Sequence, residues 1–381
     1  MKSLYQYAYL LGLCLILSAC HNRQTNANEQ IKEITFGENI DSTNAADLLE
    51  CKFMPLATSD SCIIGSIEYC IEADNNVILS DSQTEEVYCF SKTGQFIAKI
   101  GQRGEGPDEY ISPTSIFYDK ANGLIGIEDS DKEAILYFNY SDFSFNHSVD
   151  ISQLSVSGCV LVDNYLVWRN RHYDSASAGF FATSTLNGKK IAEMAERKFS
   201  SGYITGSSYP VYTYNNEAYG YEPYDDMTIY RIDSVSAAPA WTAHIAEQSL
   251  PPTTWIKKIS ENGQKFFYPD LVQSDYVSFY EISENENSIK LYYIVKGNRF
   301  ISFYDKRNDK AITFSQSKLI DDLGIGHLNY FLPGTINNCY VGVINPGDID
   351  CDATDLTPTL GKLIGPDSAD DNPILCFIAL K

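Results

Sequence analysis

Val77-Ile78-Leu79-Ser80-Asp81, Glu86-Val87-Tyr88-Cys89-Phe90 and Phe96-Ile97-Ala98-Lys99-Ile100 follow one another within Ile71 to Gly101. Each run is apolar and too short for a helix, and the β-branched and aromatic content favours strands. The first run ends on an acid, and Lys92-Thr93-Gly94 supplies the turn before the third. The reading of the whole chain rests on the return of this strand-acid-turn-strand order.

It returns at Leu124–Glu128, Ala134–Phe138 and Asn146–Ile151, and again at Tyr165–Arg169, Gly179–Ser184 and Lys190–Met194 around an Asn187-Gly188 turn. A fourth copy has Glu217–Tyr221, Met227–Ile232 and Pro239–Ile245. A fifth has Lys290–Val295, Asn298–Tyr304 and Ala311–Gln316. The sixth begins with Cys339–Ile344 and ends with Ile374–Ala379. One more apolar run precedes each unit, such as Ile116-Phe117-Tyr118 or Val160-Leu161-Val162. Four short antiparallel strands every ~40 to 50 residues is the period of a propeller blade. A single unit cannot bury both faces, whereas a closed ring can. The expected fold is all-β: a six-bladed β-propeller over residues 32–381, closed by an N-terminal strand, Lys32–Phe36, added to the last blade. A sandwich of similar strand count leaves the repeated order unexplained. Two insertions interrupt the pattern. Leu250–Val272 carries Pro251-Pro252 and a segment around Trp255–Ile259 that can form a short helix, and Asp348–Asp371 holds a possible helical turn at Asp355–Ile364.

Upstream, Lys2 precedes a short apolar run, Tyr9–Leu17, which is too short to span a bilayer and ends in Leu17-Ser18-Ala19-Cys20. That ending resembles the bacterial lipobox, which implies a signal peptide at 1–19 and acylation, including palmitate, at Cys20. Residues 20–31 read as a flexible polar tether. The expectation is a protein held at the cell envelope, anchored to the membrane and not spanning it, through an N-terminal lipid in the outer membrane. No acidic cluster follows Cys20, which favours the periplasmic face over the surface.

Fifty acidic against 28 basic residues give a formal charge of −22, a field that repels nucleic acid. Ten cysteines include Cys14 and Cys20; the other eight permit disulfides in an oxidising compartment, but no C-x-x-C pair is present and they read as small buried hydrophobes.

Three stretches carry a family resemblance: Ile100-Gly101-Gln102-Arg103-Gly104-Glu105-Gly106-Pro107-Asp108-Glu109-Tyr110, the Leu-Ser-Ala-Cys ending, and Asp371-Asn372-Pro373-Ile374-Leu375-Cys376-Phe377. Together they resemble the six-bladed β-propeller lipoproteins of gut Gram-negative anaerobes, with blades similar to NHL repeats. The resemblance implies fold and address and carries no assigned activity.

Candidate site residues fall into three groups. Backbone N–H groups of the glycine-rich run can cradle an anion, with Arg103, Glu105, Asp108 and Glu109 beside them, although a salt-bridged turn between blades explains the same residues. Tyr212, Tyr214 and Tyr221 belong to a tyrosine-rich interval that suits a sugar or peptide platform and equally suits half-buried strands. Asp348, Asp350 and Asp352 have the spacing of a calcium loop, but Ala353 and Thr359 break the EF-hand pattern. The five histidines are dispersed, and no Gly-x-Ser-x-Gly elbow or His-Glu-x-x-His appears, so no catalytic residue is assigned. The expected function is binding of a glycan, peptide or envelope protein without a cofactor. The alternative is a hydrolase or lyase with a calcium or carboxylate centre in the tunnel.

Overall fold

Strand-forming runs separated by tight turns produce the ring directly. The computed structural model describes residues 31–170, 178–196, 210–223, 226–252, 254, 267–350, 356–365 and 367–381. Signal, lipobox and nearly all of the tether lie outside these residues, as do Trp255–Ile259. Two short strands come first, β1 (Lys32–Phe36) and β2 (Leu49–Pro55). Blade 1 then contains β3 (Ile67–Ala73), β4 (Asn76–Asp81), β5 (Glu86–Ser91) and β6 (Phe96–Lys99). Blade 2 contains β7 (Pro113–Asp119), β8 (Leu124–Asp129), β9 (Ala134–Asn139) and β10 (Phe145–Asp150). Blade 3 contains β11 (Val156–Val162), β12 (Tyr165–Asn170), β13 (Ala178–Ser184) and β14 (Lys190–Glu196). Blade 4 contains β15 (Val211–Tyr214), β16 (Glu217–Tyr221), β17 (Thr228–Ile232) and β18 (Ala237–Ile245). Blade 5 contains β19 (Val277–Glu284), β20 (Ser288–Val295), β21 (Asn298–Asp305) and β22 (Lys310–Ser315), and blade 6 ends the chain with β23 (Tyr330–Phe331), β24 (Tyr340–Ile344) and β25 (Ile374–Leu380). Consecutive strands of each blade pair antiparallel, and two sheets take in one more strand from the N-terminal part of the chain.

An N-terminal strand does complete the last blade, but it is β2. Leu49 to Pro55 pair with Leu380 to Ile374 in unbroken antiparallel register. Lys32–Phe36, expected in that position, lies instead at the outer edge of blade 4 beside β18. The physical reason is reach. Nine residues after Phe36 the chain meets a one-turn helix, α1 (Ala45–Leu48), capped by Asn44, whose end delivers β2 to β25.

The apolar faces of the blades meet in pairs, so the core is divided among the interfaces. Met54, Val343 and Leu375 of blade 6 cluster with Ile67, Leu79 and Phe90 of blade 1, which shows the ring closed. Ile78 and Val87 meet Ile127 and Phe138 between blades 1 and 2, and Tyr137 meets Trp168 and Leu166 between blades 2 and 3. Val167 and Phe180 meet Val211 and Ile232, then Tyr221 and Trp241 meet Tyr280 and Leu291. Ile301 and Phe303 meet Tyr340 and Ile378 to finish the circuit.

The acid that ends the second strand in the first two blades fastens the preceding connection. Asp81 accepts from Gly65 N (2.6 Å), Ser66 N (2.9 Å) and Gln83 N (2.8 Å). Asp129 accepts from Ile111 N (2.7 Å), Ser112 N (3.2 Å), Asp131 N (3.1 Å) and Lys132 N (3.1 Å). Each carboxylate thereby satisfies backbone donors that no strand can pair.

Both insertions carry helical turns among their described residues. Helix α2 (Phe267–Gln273) lies in the connection to blade 5, and α3 (Gln316–Leu323) leads from blade 5 to blade 6, ending at Gly324 in the left-handed region. Among the described residues between β24 and β25 are three 3₁₀ turns, Pro346–Asp348, Leu360–Lys362 and Ser368–Asp370. The seven described cysteines outside the leader are free thiols, and Cys62, Cys70, Cys89, Cys159 and Cys376 are buried. No described helix is long and apolar enough to cross a membrane.

Candidate functional site

The first strand of each blade faces the ring axis, where β3 packs on β7, β7 on β11 and β11 on β15. The turns that follow these strands emerge on one face and are tied from blade to blade. Asn216 Nδ2 donates to Asp163 (3.1 Å), and Asn285 Nδ2 donates to the Asn338 carbonyl (3.0 Å). On this face the channel opens as a cavity of about 260 Å³, walled by residues 69–72, 116–118, 159–161, 211–213 and 333–335. Its lining is mostly aliphatic and aromatic.

Polar groups ring the opening. Glu72 is ion-paired with Lys92 and accepts from Asn337 N (3.2 Å). Tyr118 Oη donates to Asp74 (2.6 Å), which also binds Lys120 Nζ (2.8 Å). The Tyr118 ring packs on Tyr140 with centroids 4.8 Å apart. Lys120 and the Tyr118 hydroxyl hold the Asp74 carboxyl below its ordinary range.

Behind the lining residues lie buried charged groups. Tyr69, which lines the cavity, is buried, and burial pushes its hydroxyl pKa up, with Cys159, Glu128 and Glu281 adding in the same direction. Ser115 Oγ accepts from Cys159 N (3.2 Å). Glu281 and Lys290 are buried in blade 5. Burial pulls the Lys290 amine down to about 8 against the raising effect of Glu281, and burial raises the Glu281 carboxyl against the lowering effect of Lys290. Lys290 Nζ sits 4.1 Å from the ring centroid of Phe331.

The glycine-rich run provides its own anion. Glu109 accepts from Gly106 N (2.8 Å) and from Gln102 Nε2 (2.5 Å), so the carboxylate occupies the cradle that the sequence offered to a ligand. These bonds, Gly106 first, hold its pKa below the ordinary value. A Cβ on Gly104 would stand 2.0 Å from Glu109 Oε2, which explains the glycine there. Lys132 Nζ donates to the Gly106 carbonyl (2.6 Å) and the Glu109 carbonyl (2.5 Å), and Arg103 pairs with Glu85 (2.5 Å). Buried Tyr110 accepts from Val87 N (3.1 Å) through its hydroxyl. The loop is a brace between blades 1 and 2; Glu105 and Asp108 lie on it and gain no place in the channel.

Of the tyrosines, Tyr221 is fully buried and stacks on Tyr280 at 5.2 Å. Tyr212 stacks on Tyr219 at 5.6 Å and its Oη donates to Glu284 (3.1 Å). Tyr214 carries Lys306 Nζ 3.7 Å from its ring centroid. They pack blades 4 and 5 together, and only Tyr212 also borders the cavity. Asp348 accepts from Asn329 Nδ2 (2.7 Å) and Asn345 Nδ2 (3.2 Å) on a 3₁₀ turn, Asp350 follows that turn, and Asp352 lies outside the described residues. Among the described residues no group of three His, Cys, Asp or Glu side chains could hold a metal ion.

Sequence reasoning missed Glu281, Ser283 and Lys290. Their signal is a charged or hydroxyl residue inside an apolar strand, and it acquires meaning only once the strand's facing side is known.

The fold comparisons agree with this architecture. A crystal structure of a Bacteroides fragilis protein whose name calls it exported is 31% identical, with a TM-score of 0.86, covering 92% of this chain and 100% of that one. A member of the DUF4221 family from Bacteroides vulgatus shares the fold at 9% identity, with a TM-score of 0.54 and coverage of 88% and 99%. No curated protein is significantly similar. Residues 22–343 match a family described as a 6-bladed beta-propeller, and the chain belongs to this family, DUF5128.

Proposed function

We propose that the protein is a binding module of the cell envelope, tethered through Cys20, that holds a projecting group of a glycan, peptide or protein partner in the mouth of its channel. The observation that carries this reading is the 260 Å³ cavity, with apolar walls from several blades and a rim of fixed polar groups. Such a combination buries the body of a ligand and orients its polar tips. The volume suits one sugar ring or one side chain, so the partner presents an end or a branch. The surrounding charge of −22 attracts cationic partners and repels anionic ones.

A thermal-shift screen of detergent-solubilised full-length protein against glycans, peptides, calcium and chelator tests the reading. A ligand of the cavity raises the melting temperature with concentration. Thr335→Trp, which fills the cavity from a loop, removes that shift. A ligand whose shift survives Thr335→Trp binds elsewhere and defeats the proposal. A shift with calcium, reversed by chelator, supports the metal-dependent alternative instead. Cys20→Ser is expected to abolish incorporation of labelled palmitate and to release the protein from membranes.

A further inference from the structure

Three polar side chains on one face of blade 5 end without hydrogen-bond partners among the described residues. Ser283 and Lys290 are directly opposite in the β19–β20 register, and Glu281 lies two residues from Ser283 on the same side. Lys290 and Ser283 have no exposed surface and Glu281 has 8%. Lys290 Nζ, Glu281 Oε1 and Ser283 Oγ find no hydrogen-bond partner. Buried polar atoms are rarely left so, and three together mark a place where something else supplies the missing bonds.

The needs of the trio define the occupant. An ammonium only donates and an ionised carboxylate oxygen only accepts, so the partner must do both. The two charges cancel, which disfavours an anion or a metal ion. The aromatic faces of Phe331 and Tyr340, 4.1 and 5.5 Å from Lys290 Nζ to their centroids, supply an apolar wall. Vicinal hydroxyls on a ring with a C–H face meet all three conditions.

Access lies beside the channel cavity. Tyr69 lines that cavity and interacts electrostatically with Glu281. The partition includes β23, only two residues long and bonded through Tyr330↔Val343 and Phe331↔Gly342. It leads into 333–335 of the cavity wall, where Gly334 has φ +74° and open space around it. A strand this short opens at low cost.

We propose that Lys290, Glu281 and Ser283 form an inner subsite for a neutral sugar residue, entered from the channel mouth past β23. The proposal rests on the binding reading above and names its ligand class.

Calorimetric titration of the full-length protein in detergent with glucose, galactose and N-acetylglucosamine, and with glucuronate and glucosamine as charged counterparts, tests it. A neutral sugar is expected to bind at least roughly tenfold more tightly than its charged counterparts, the scale of one good hydrogen bond. Ser283→Ala, which deletes one hydroxyl and spares the fold, weakens it roughly three- to tenfold, and Lys290→Met weakens it further. Neutral-sugar binding that is unchanged in both variants but lost in Thr335→Trp overturns the inner subsite and upholds the mouth. Preference for a charged sugar, or no sugar binding, overturns the subsite as well. In that case a peptide displaced by Thr335→Trp still upholds the mouth.

Discussion

The seam between blades 1 and 2 and the seam between blades 5 and 6 handle buried polarity in opposite ways. At the first, Asp129 accepts four backbone N–H groups and Glu109 fills the loop built around Gly104 and Gly106, so each polar group answers another of the same chain. At the second, Lys290, Glu281 and Ser283 lie together behind a two-residue strand with hydrogen-bonding capacity unused. The first seam is self-sufficient and therefore structural. The second holds the groups that an outside molecule can satisfy.

The sharpest way to break this contrast is to remove Asp129. Asp129→Ala strands four partly buried donors and is expected to lower the unfolding free energy by about 3 kcal/mol in urea titration. A loss under about 1 kcal/mol would mean that the seam does not depend on its carboxylate.

Replacing the polar pair at the other seam should do the reverse. Lys290→Met/Glu281→Met removes two buried charges at similar volume, and such replacements are neutral or stabilising by ~1–4 kcal/mol. Unfolding at pH 7 that is easier than wild type would show the pair to be structural.

The same seam carries a pH signature. The Lys290 pKa is lowered by burial to about 8 from 10.5, so between those values the unfolded chain holds the extra proton. Stability relative to the double variant therefore rises as pH increases from about 8 toward 10, by on the order of 1–2 kcal/mol. A flat difference across that range contradicts a buried, perturbed amine.

Glu109 gives the smallest effect, and its contribution likewise rises with pH, now in the acid range. Its folded pKa is lowered from 4.5, so its contribution is present above that value and fades as pH falls through the folded one. Glu109→Gln should flatten the acid limb of the stability curve without altering binding at the channel mouth.

Much of the ring was legible in the chain. The strand-acid-turn order located Val77–Asp81, Leu124–Glu128 and most of their counterparts to within a residue or two, because strands buried on both faces read as short continuous apolar runs. The closing strand was misplaced because β1 and β2 are both short, apolar on alternate residues and N-terminal; only the register with Leu380 to Ile374 separates them. Tyr221 looks like part of a binding platform in sequence and is core, stacked on Tyr280, since a tyrosine's pattern does not say which side of a blade it faces. Lys290 carries meaning only through Ser283 opposite and Phe331 in the next blade, neither of which is near it in local pattern.

Ring closure by β2 also sets an order of events. The strand that seals blade 6 leaves the ribosome among the earliest parts of the domain, while its partner β25 is synthesised last. Until then β2 and its flanking apolar residues have no permanent neighbour, and the open ring exposes edges able to pair with other chains. Contacts this distant in sequence form slowly. The last seam of the ring therefore stays open until the final strand arrives.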